Sequence, residues 1–258
     1  MNNTFSFSRF AKLSKRHAVA HYKPYLMSLL IMIATLFLFL GYASTTQNSF
    51  FGIEQYSVFM ILLFTLGAIF TSGIFSEFSN PSKSISFLML PGSSLEKWLV
   101  GWLYSFLIFL VVYIMAFYLT DVIVVNISNT FSKHPQKLMN LFDPELHFWR
   151  DLMMFTLIHS LSLFGALFFN KHHFLKIATL FVIFYIGLIF LNASFLNVFI
   201  SKDISAGGLF SEISLNENKS YYAVQASDLI KSSLPYLLFV VTSLIWTAAY
   251  YKLKEKEV

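Results

Sequence analysis

The sequence predicts an all-α polytopic membrane protein, one transmembrane domain of six membrane-spanning helices, and two observations lead to this prediction. The first is composition: hydrophobic residues make up 57% of the 258-residue chain and charged residues 12%, against roughly 45–50% and about 25% in soluble domains. With 31 Phe and a mean hydropathy of +0.66, the chain has too little polar surface to cover a water-soluble globule. The second is that apolar residues fall into six long runs, each close to the roughly 20 residues that a helix needs to cross a bilayer.

The six predicted spans follow one another along the chain. They cover residues 24–43, 56–75, 98–125, 152–169, 174–200 and 233–251. The third and the fifth are longer than a bilayer requires, so we expect them to tilt or to project from it. Residues 24–251 are therefore predicted to form one helical bundle, preceded by the basic segment 1–23 and followed by a short tail, residues 252–258.

Positive charge predicts the orientation of this bundle. Twelve of the 18 Lys and Arg residues lie on the side of the N-terminus and six on the opposite side. Because Lys and Arg are enriched in cytoplasmic segments, both termini are predicted to face the cytoplasm. Residues 1–23 hold five of these charges, interleaved with Phe, which is typical of an amphipathic helix on an anionic membrane surface; a flexible basic tail is the alternative. The charges sit at helix ends rather than in one patch, so we predict no nucleic-acid partner.

A polar and amphipathic insertion, residues 78–101, separates the second and third spans. Asn80 and Pro81 form a helix-start signal, because proline is tolerated in the first turn of a helix. The short amphipathic run that follows is predicted to end at Pro91-Gly92, a dipeptide that favours a turn.

A capping box is predicted immediately after this turn. In Ser93-Ser94-Leu95-Glu96, the Ser93 hydroxyl should accept the N–H of Glu96, and the Glu96 carboxylate should accept the N–H of Ser93. The cap would start the helix that carries Lys97 and the third span. Such a segment is suited to transmit a push from the cytoplasm; the alternative is a plain connection at the lipid surface.

Motifs of catalysis and nucleotide binding are absent from the sequence. There is no G-x-x-x-x-G-K-[ST] phosphate loop, no H-E-x-x-H zinc motif and no G-x-S-x-G nucleophile motif. There is also no cysteine, so disulfides and cysteine-ligated metals are excluded. We therefore predict no enzymatic activity, no metal and no cofactor for this chain.

His159 is the ionisable side chain predicted deepest in the membrane, about 13 Å from either end of the fourth span at 1.5 Å per residue. Ionisable groups in hydrocarbon are costly, which makes His159 a candidate for function. The alternative is a neutral imidazole that is hydrogen-bonded to a Ser, a Thr or a carbonyl of a neighbouring helix. Asp121, by contrast, is predicted at the outer interface, because it lies roughly 35 Å along the third span.

Three stretches of the sequence resemble the membrane subunits of bacterial ABC-2-type exporters, in the six-span form without a fused ATPase. They are FLMLPGSSLEKW (87–98), HSLSLFGALFFNKHHFLK (159–176) and the C-terminal YYKLKEKEV (250–258). The first is the most specific, because a Leu-Pro, small polar residues and then Glu-Lys precede the third span. The order of spans and the predicted location of both termini agree with this family.

The resemblance implies the permease subunit of an ATP-binding-cassette exporter in the bacterial cytoplasmic (inner) membrane. In such exporters two permease subunits, identical or different, pair in the lipid, and separate ATPase subunits bind the ATP. A coupling helix between spans two and three contacts the ATPase and drives alternating access. The corresponding residues of this sequence are Asn80, Leu90, Pro91, Gly92, Ser93, Ser94, Glu96 and Lys97. The basic N-terminal segment would be the interfacial helix of the family.

Two other classes of function are also considered. A gradient-driven transporter or channel would require an essential His159 and no ATPase. A non-transport protein, either a scaffold or an enzyme of an envelope complex, would require neither. A co-purifying ATPase distinguishes the exporter from both.

Overall fold

The computed structural model describes residues 5–46, 52–75, 84–85, 89–131, 136–169, 173–199, 204–206, 213–217, 220–224 and 228–256. Within these ranges the chain forms α1 (Phe7–Thr46), α2 (Gly52–Gly73), α3 (Ser94–Trp102), α4 (Phe109–Phe131), α5 (Phe148–Phe168), α6 (His173–Phe199) and α7 (Asp228–Glu255). A π-helical segment, Leu103–Ile108, joins α3 to α4, and a 3₁₀ turn, Pro144–Leu146, precedes α5. Three short strands, β1 (Ile204–Ala206), β2 (Ile213–Glu217) and β3 (Ser220–Val224), lie between α6 and α7.

Six helical stretches of the described chain are long and apolar enough to cross a membrane. They are α1, α2, the continuous run from α3 to α4, α5, α6 and α7. The predicted helical multi-pass architecture with six spans is thus confirmed. Three of the stretches, α1, the run from α3 to α4 and α7, extend beyond their predicted spans at both ends, and the run from α3 to α4 covers 38 residues. By contrast, α2 ends at Gly73, before the predicted residue 75. Hydropathy marks only the part of a helix that lies in hydrocarbon, whereas backbone hydrogen bonding continues past it.

The basic N-terminal segment is helical, but it is not a separate helix. It forms one continuous helix with the first span, and Pro24 lies inside that helix. Packing on both sides of Pro24 accounts for the continuity. Ten residues before Pro24, Tyr104 holds α1 through a hydrogen bond to the Ser14 carbonyl, and eight residues after it Met32 is buried against the bundle. The Ser28 hydroxyl donates to the Pro24 carbonyl at 2.9 Å.

The helices pack around two clusters of buried side chains. The larger cluster joins α1, α2, α4 and α5; it includes Leu36, Phe59, Tyr113, Phe117 and Phe155. The smaller cluster joins the ends of α2, α5 and α7; it includes Phe75, Leu163, Leu167, Ala249 and Leu253. Large aromatic side chains dominate the larger core, in keeping with the Phe-rich composition.

Two ends of the bundle can be defined from these contacts. At the Glu96 end, the beginnings of α1 and α3 meet, and Trp98 of α3 packs edge-on against Tyr250 near the end of α7. At the Asp121 end, α4 meets the beginning of α2, where Gln55 lies. The candidate sites are located by reference to these two ends.

The loop before α7 contains structure that the sequence analysis did not predict. There β1, β2 and β3 form an antiparallel sheet in that order, with Ile204 opposite Leu215 and Glu217 opposite Ser220. Each strand has only three to five residues. Alternation over so few positions is a weak signal beside the polar residues around it, which favour a loop.

Candidate functional site

The predicted capping box is present at the start of α3. Ser93 has extended backbone angles (φ −74°, ψ 154°) and is the N-cap residue. The Glu96 N–H donates to Ser93 Oγ at 3.3 Å, and the Ser93 N–H donates to Glu96 Oε2 at 3.0 Å. Two N–H groups that a helix start leaves without partners are thereby paired.

The Glu96 carboxylate also binds the start of α1, forming what we call the Glu96 clasp (Ser6, Arg9, Ser93 and Glu96). The Ser6 N–H donates to Oε1 at 2.7 Å, and the Arg9 guanidinium donates to the same oxygen from Nη2 at 3.0 Å and from Nε at 3.2 Å. Glu96 is fully buried, whereas the Arg9 side chain is 35% exposed. The clasp ties α1 to the turn that precedes α3.

Two further contacts extend this attachment along α1. A Cβ at Gly92 would lie 2.7 Å from Leu13 Cδ1, so the Pro91-Gly92 turn packs directly on α1, and a larger residue at position 92 would require the Leu13 side chain to move. At the next residue of α1, the Tyr104 hydroxyl donates to the Ser14 carbonyl at 3.0 Å. The segment predicted to couple to a partner is therefore held along its inner side by the N-terminal helix.

The residues predicted to form the coupling interface differ in accessibility. Asn80 lies outside the described residues. Pro91 is exposed, and Leu90, Gly92 and Ser94 are half-buried, whereas Ser93, Glu96 and Lys97 are buried. Among the described residues from 89 to 97, the exposed side chains are apolar: Met89 is 79% exposed, Leu95 is 38% exposed, and Pro91 is also exposed.

His159 lies in the bundle interior with both ring nitrogens hydrogen-bonded. Its Nε2 is 2.9 Å from Ser105 Oγ, and Trp246 Nε1 donates to its Nδ1 at 3.2 Å. The ring is fully buried, with the Phe106 ring centroid 5.0 Å away. The predicted hydrogen bond to a Ser of a neighbouring helix is thus present, and Trp246 of α7 is a second partner that sequence reasoning missed.

The partners of His159 fix its tautomer. An indole N–H can only donate, so Nδ1 must be the unprotonated acceptor and the proton of the neutral ring is on Nε2. Nε2–H then donates to Ser105 Oγ, and the Ser105 hydroxyl donates to the Gly101 carbonyl at 2.8 Å. An imidazolium would carry a proton on both nitrogens and would lose the bond from Trp246. The network from Trp246 to Gly101 is complete with a neutral His159.

Ser105 places this network on the π-helical segment between α3 and α4. The segment changes the hydrogen-bond pattern of a helix whose first turns carry the Glu96 clasp. Single π turns inside α-helices recur at functional sites, where they re-aim side chains. No residue type in Leu103–Ile108 signals such a turn, so the sequence could not have predicted it.

At the Asp121 end, a loop folds back onto the bundle. Gln55 Nε2 donates to Asp121 Oδ1 at 3.2 Å and to the Lys137 carbonyl at 3.1 Å, and the Met139 N–H donates to Asp121 Oδ2 at 3.2 Å. Asp121 is fully buried. Nearby, the Tyr56 hydroxyl donates to Asp151 at 2.7 Å. The bonds to the Lys137 carbonyl and from the Met139 N–H anchor the loop between α4 and α5, and the bond between Tyr56 and Asp151 joins α2 to α5.

Within the ranges that the structure describes, no three His, Cys, Asp or Glu side chains are grouped so that they could hold a metal ion. Comparison with protein-family models, with curated proteins and with solved structures finds no match for this chain.

Proposed function

We propose that this chain is the permease subunit of an ABC-2-type exporter, in which a separate ATPase subunit drives alternating access. The observation that carries the proposal is the segment Leu90–Lys97. An exposed turn leads into a capped helix, and that helix continues through the π segment into α4. A displacement of the turn would thus be transmitted into the third span. The sequence of this segment is also the part that most resembles the exporter family.

The proposed contact with the ATPase is apolar. Pro91 and Leu95 of this segment and the adjacent Met89 are exposed, whereas Glu96 and Lys97 are buried. In this proposal Glu96 positions the contact surface by holding the turn on α1. The ATPase itself would touch Met89, Pro91 and Leu95.

The proposal also includes orientation and a second subunit. The excess of Lys and Arg on the side of the N-terminus supports a cytoplasmic location for the Glu96 end. The bacterial inner membrane is part of the proposal because of the resemblance to the exporter family. The exposed apolar side chains of α6 along its length leave room for a second permease subunit, identical or different, and for membrane lipid. ATP would be bound by the ATPase partner alone.

The bonding of His159 favours this proposal over a gradient-driven carrier. A carrier would use His159 to accept and release a proton within the membrane. Each ring nitrogen already has a partner, and an added proton on Nδ1 would meet the Trp246 N–H.

The decisive experiment is a mild-detergent purification of the chain from its native membrane, followed by mass spectrometry of the proteins that accompany it. The proposal expects a stoichiometric soluble protein with a G-x-x-x-x-G-K-[ST] phosphate loop. An intact preparation without such a protein would refute it.

Changing Leu95 to Asp should abolish this co-purification without unfolding the chain. The charge would have to be desolvated in an apolar contact, which we expect to weaken binding at least about tenfold, or roughly 1.4 kcal/mol. Phe142→Asp is the matched control, since Phe142 is an exposed aromatic residue in the loop before α5, which lies at the opposite end of the bundle. Retention of the ATPase by Leu95→Asp at wild-type stoichiometry would show that the contact surface is elsewhere.

A further inference from the structure

A groove of about 240 Å³ runs between α1, α2 and α4, next to the Tyr104 end of the π segment. Its floor includes Met32 and Phe109, which are buried, and its rim includes Ile31, Ile69 and Ile108, which are exposed. The groove is therefore open along one side of the bundle. Every residue that lines it belongs to a stretch that is long and apolar enough to cross a membrane, so in a bilayer the open side would face lipid.

The polar side chains that line the groove lie at the end nearest the start of α1, and each already has a hydrogen-bond partner. The Tyr104 hydroxyl donates to the Ser14 carbonyl, the Tyr25 hydroxyl is 2.5 Å from His17 Nε2, and Ser28 donates to the Pro24 carbonyl. Water in a cavity needs two to four polar partners, and the rest of the lining is hydrocarbon. The groove thus suits an apolar chain that enters from the side.

The length of the groove fits part of a lipid tail. Tyr25 and Met32 lie at opposite ends of the α1 wall, seven residues apart, which is about 10 Å along a helix. The end of the groove that holds the tyrosine hydroxyls is thus the end closest to the basic turns of α1. A lipid headgroup above that end would meet those turns.

Charge on α1 selects the kind of headgroup. The first 53 residues of the chain contain no Asp or Glu, while Arg16 and Lys23 are exposed on α1. At about 100° per residue, both lie within roughly 60–80° of the rim residue Ile31 around the helix axis. Basic side chains beside a gap between membrane helices favour anionic lipid headgroups.

We propose that this groove binds one acyl chain of an anionic phospholipid, whose phosphate headgroup is held by the basic turns of α1 that include Arg16 and Lys23. The site is distinct from the apolar surface proposed for the ATPase and does not depend on that function. Because α1 and α4 both wall the groove, the lipid would bind across the joint between the first and third spans.

The test uses native mass spectrometry of the purified full chain, incubated with equal amounts of dioleoyl phosphatidylglycerol and dioleoyl phosphatidylcholine. We expect the wild-type chain to retain phosphatidylglycerol in preference. Ser28→Trp, which fills the groove, should lower the retained fraction at least about tenfold. Leu30→Trp is the matched control; Leu30 is exposed on α1 outside the groove lining and should retain the lipid normally.

Two further measurements distinguish the contribution of the headgroup to lipid binding from that of the tail. Lys23→Gln should lower the preference for phosphatidylglycerol about fivefold, the equivalent of about 1 kcal/mol per basic residue. Dihexanoyl phosphatidylglycerol, which has the headgroup but only short tails, should compete at least tenfold more weakly than the dioleoyl form. If Ser28→Trp fails to fold, Ile69→Trp blocks the groove from the opposite rim.

Three outcomes would overturn the proposal. Equal retention by Ser28→Trp and Leu30→Trp would mean that the lipid is annular only. Equal retention of phosphatidylcholine by the wild-type chain would exclude selection by charge. Loss of a dimer, rather than of lipid, in Ser28→Trp would assign the groove to a second copy of the chain.

Discussion

Replacing Arg9 with methionine should lower the free energy of unfolding by about 3 kcal/mol. Methionine keeps much of the apolar length of arginine, so the change mainly removes the guanidinium from the Glu96 clasp. It leaves the fully buried Glu96 carboxylate with backbone N–H groups as its remaining partners in the clasp. A buried charge without a counter-charge is among the costliest single defects in a folded chain. The quantity to measure is the unfolding free energy in mixed micelles.

The double variant Arg9→Met/Glu96→Ala tests whether the buried charge causes the loss of stability. Removing the carboxylate as well should restore part of the lost stability, because no charge is then left buried. Lys252→Met is the matched control: its ion pair with Glu255 has an N–O distance of 2.6 Å but is exposed, so its loss should cost less than about 1 kcal/mol. A double variant less stable than Arg9→Met would show that the clasp acts through packing instead.

Replacing His159 with phenylalanine should destabilise the bundle by about 1–3 kcal/mol. Phenylalanine fills similar space but leaves the Trp246 N–H without an acceptor in a dry interior. Adding Trp246→Phe removes that donor, and the double-mutant cycle should give a coupling of about 0.6–1.7 kcal/mol, as for other hydrogen bonds between membrane helices. Unfolding of the single and double variants in the same micelles measures this coupling.

The variant His159→Gln tests whether His159 only stabilises the bundle or also transfers a proton. Glutamine offers one acceptor and two donors, so it can occupy the network while remaining neutral. In an ATP-driven exporter it should retain both stability and transport. Normal folding with loss of transport would contradict this and support the gradient-driven alternative.

Local features of this chain could be predicted from sequence, and distant contacts could not. The Ser93–Glu96 capping box spans three residues, so its pattern is readable directly, and the spans follow from runs of apolar residues. The Arg9–Glu96 pair joins residues 87 positions apart. One feature of the sequence hinted at such a pair: the basic N-terminal segment has no acidic residue near it along the chain with which its charges could pair.

The contacts of His159 in the bundle interior also could be predicted only in part from the sequence. The position of His159 and the kind of partner it required followed from the cost of a polar group in hydrocarbon. Its particular partners depended on the π segment that turns Ser105 inward and on the packing of α7, which brings Trp246 alongside. The apolar residues of these helices form no pattern that indicates which side chains will contact His159.

The Glu96 clasp also has a consequence for how the chain is made. Arg9 leaves the ribosome 87 residues before Glu96, which is roughly 4–17 s at typical rates of synthesis. During that interval the first two spans can enter the membrane while the N-terminal basic turns still lack their carboxylate partner. Biogenesis of this protein thus has a defined step, before the last three spans are made, in which the emergence of the third span closes the joint with the first.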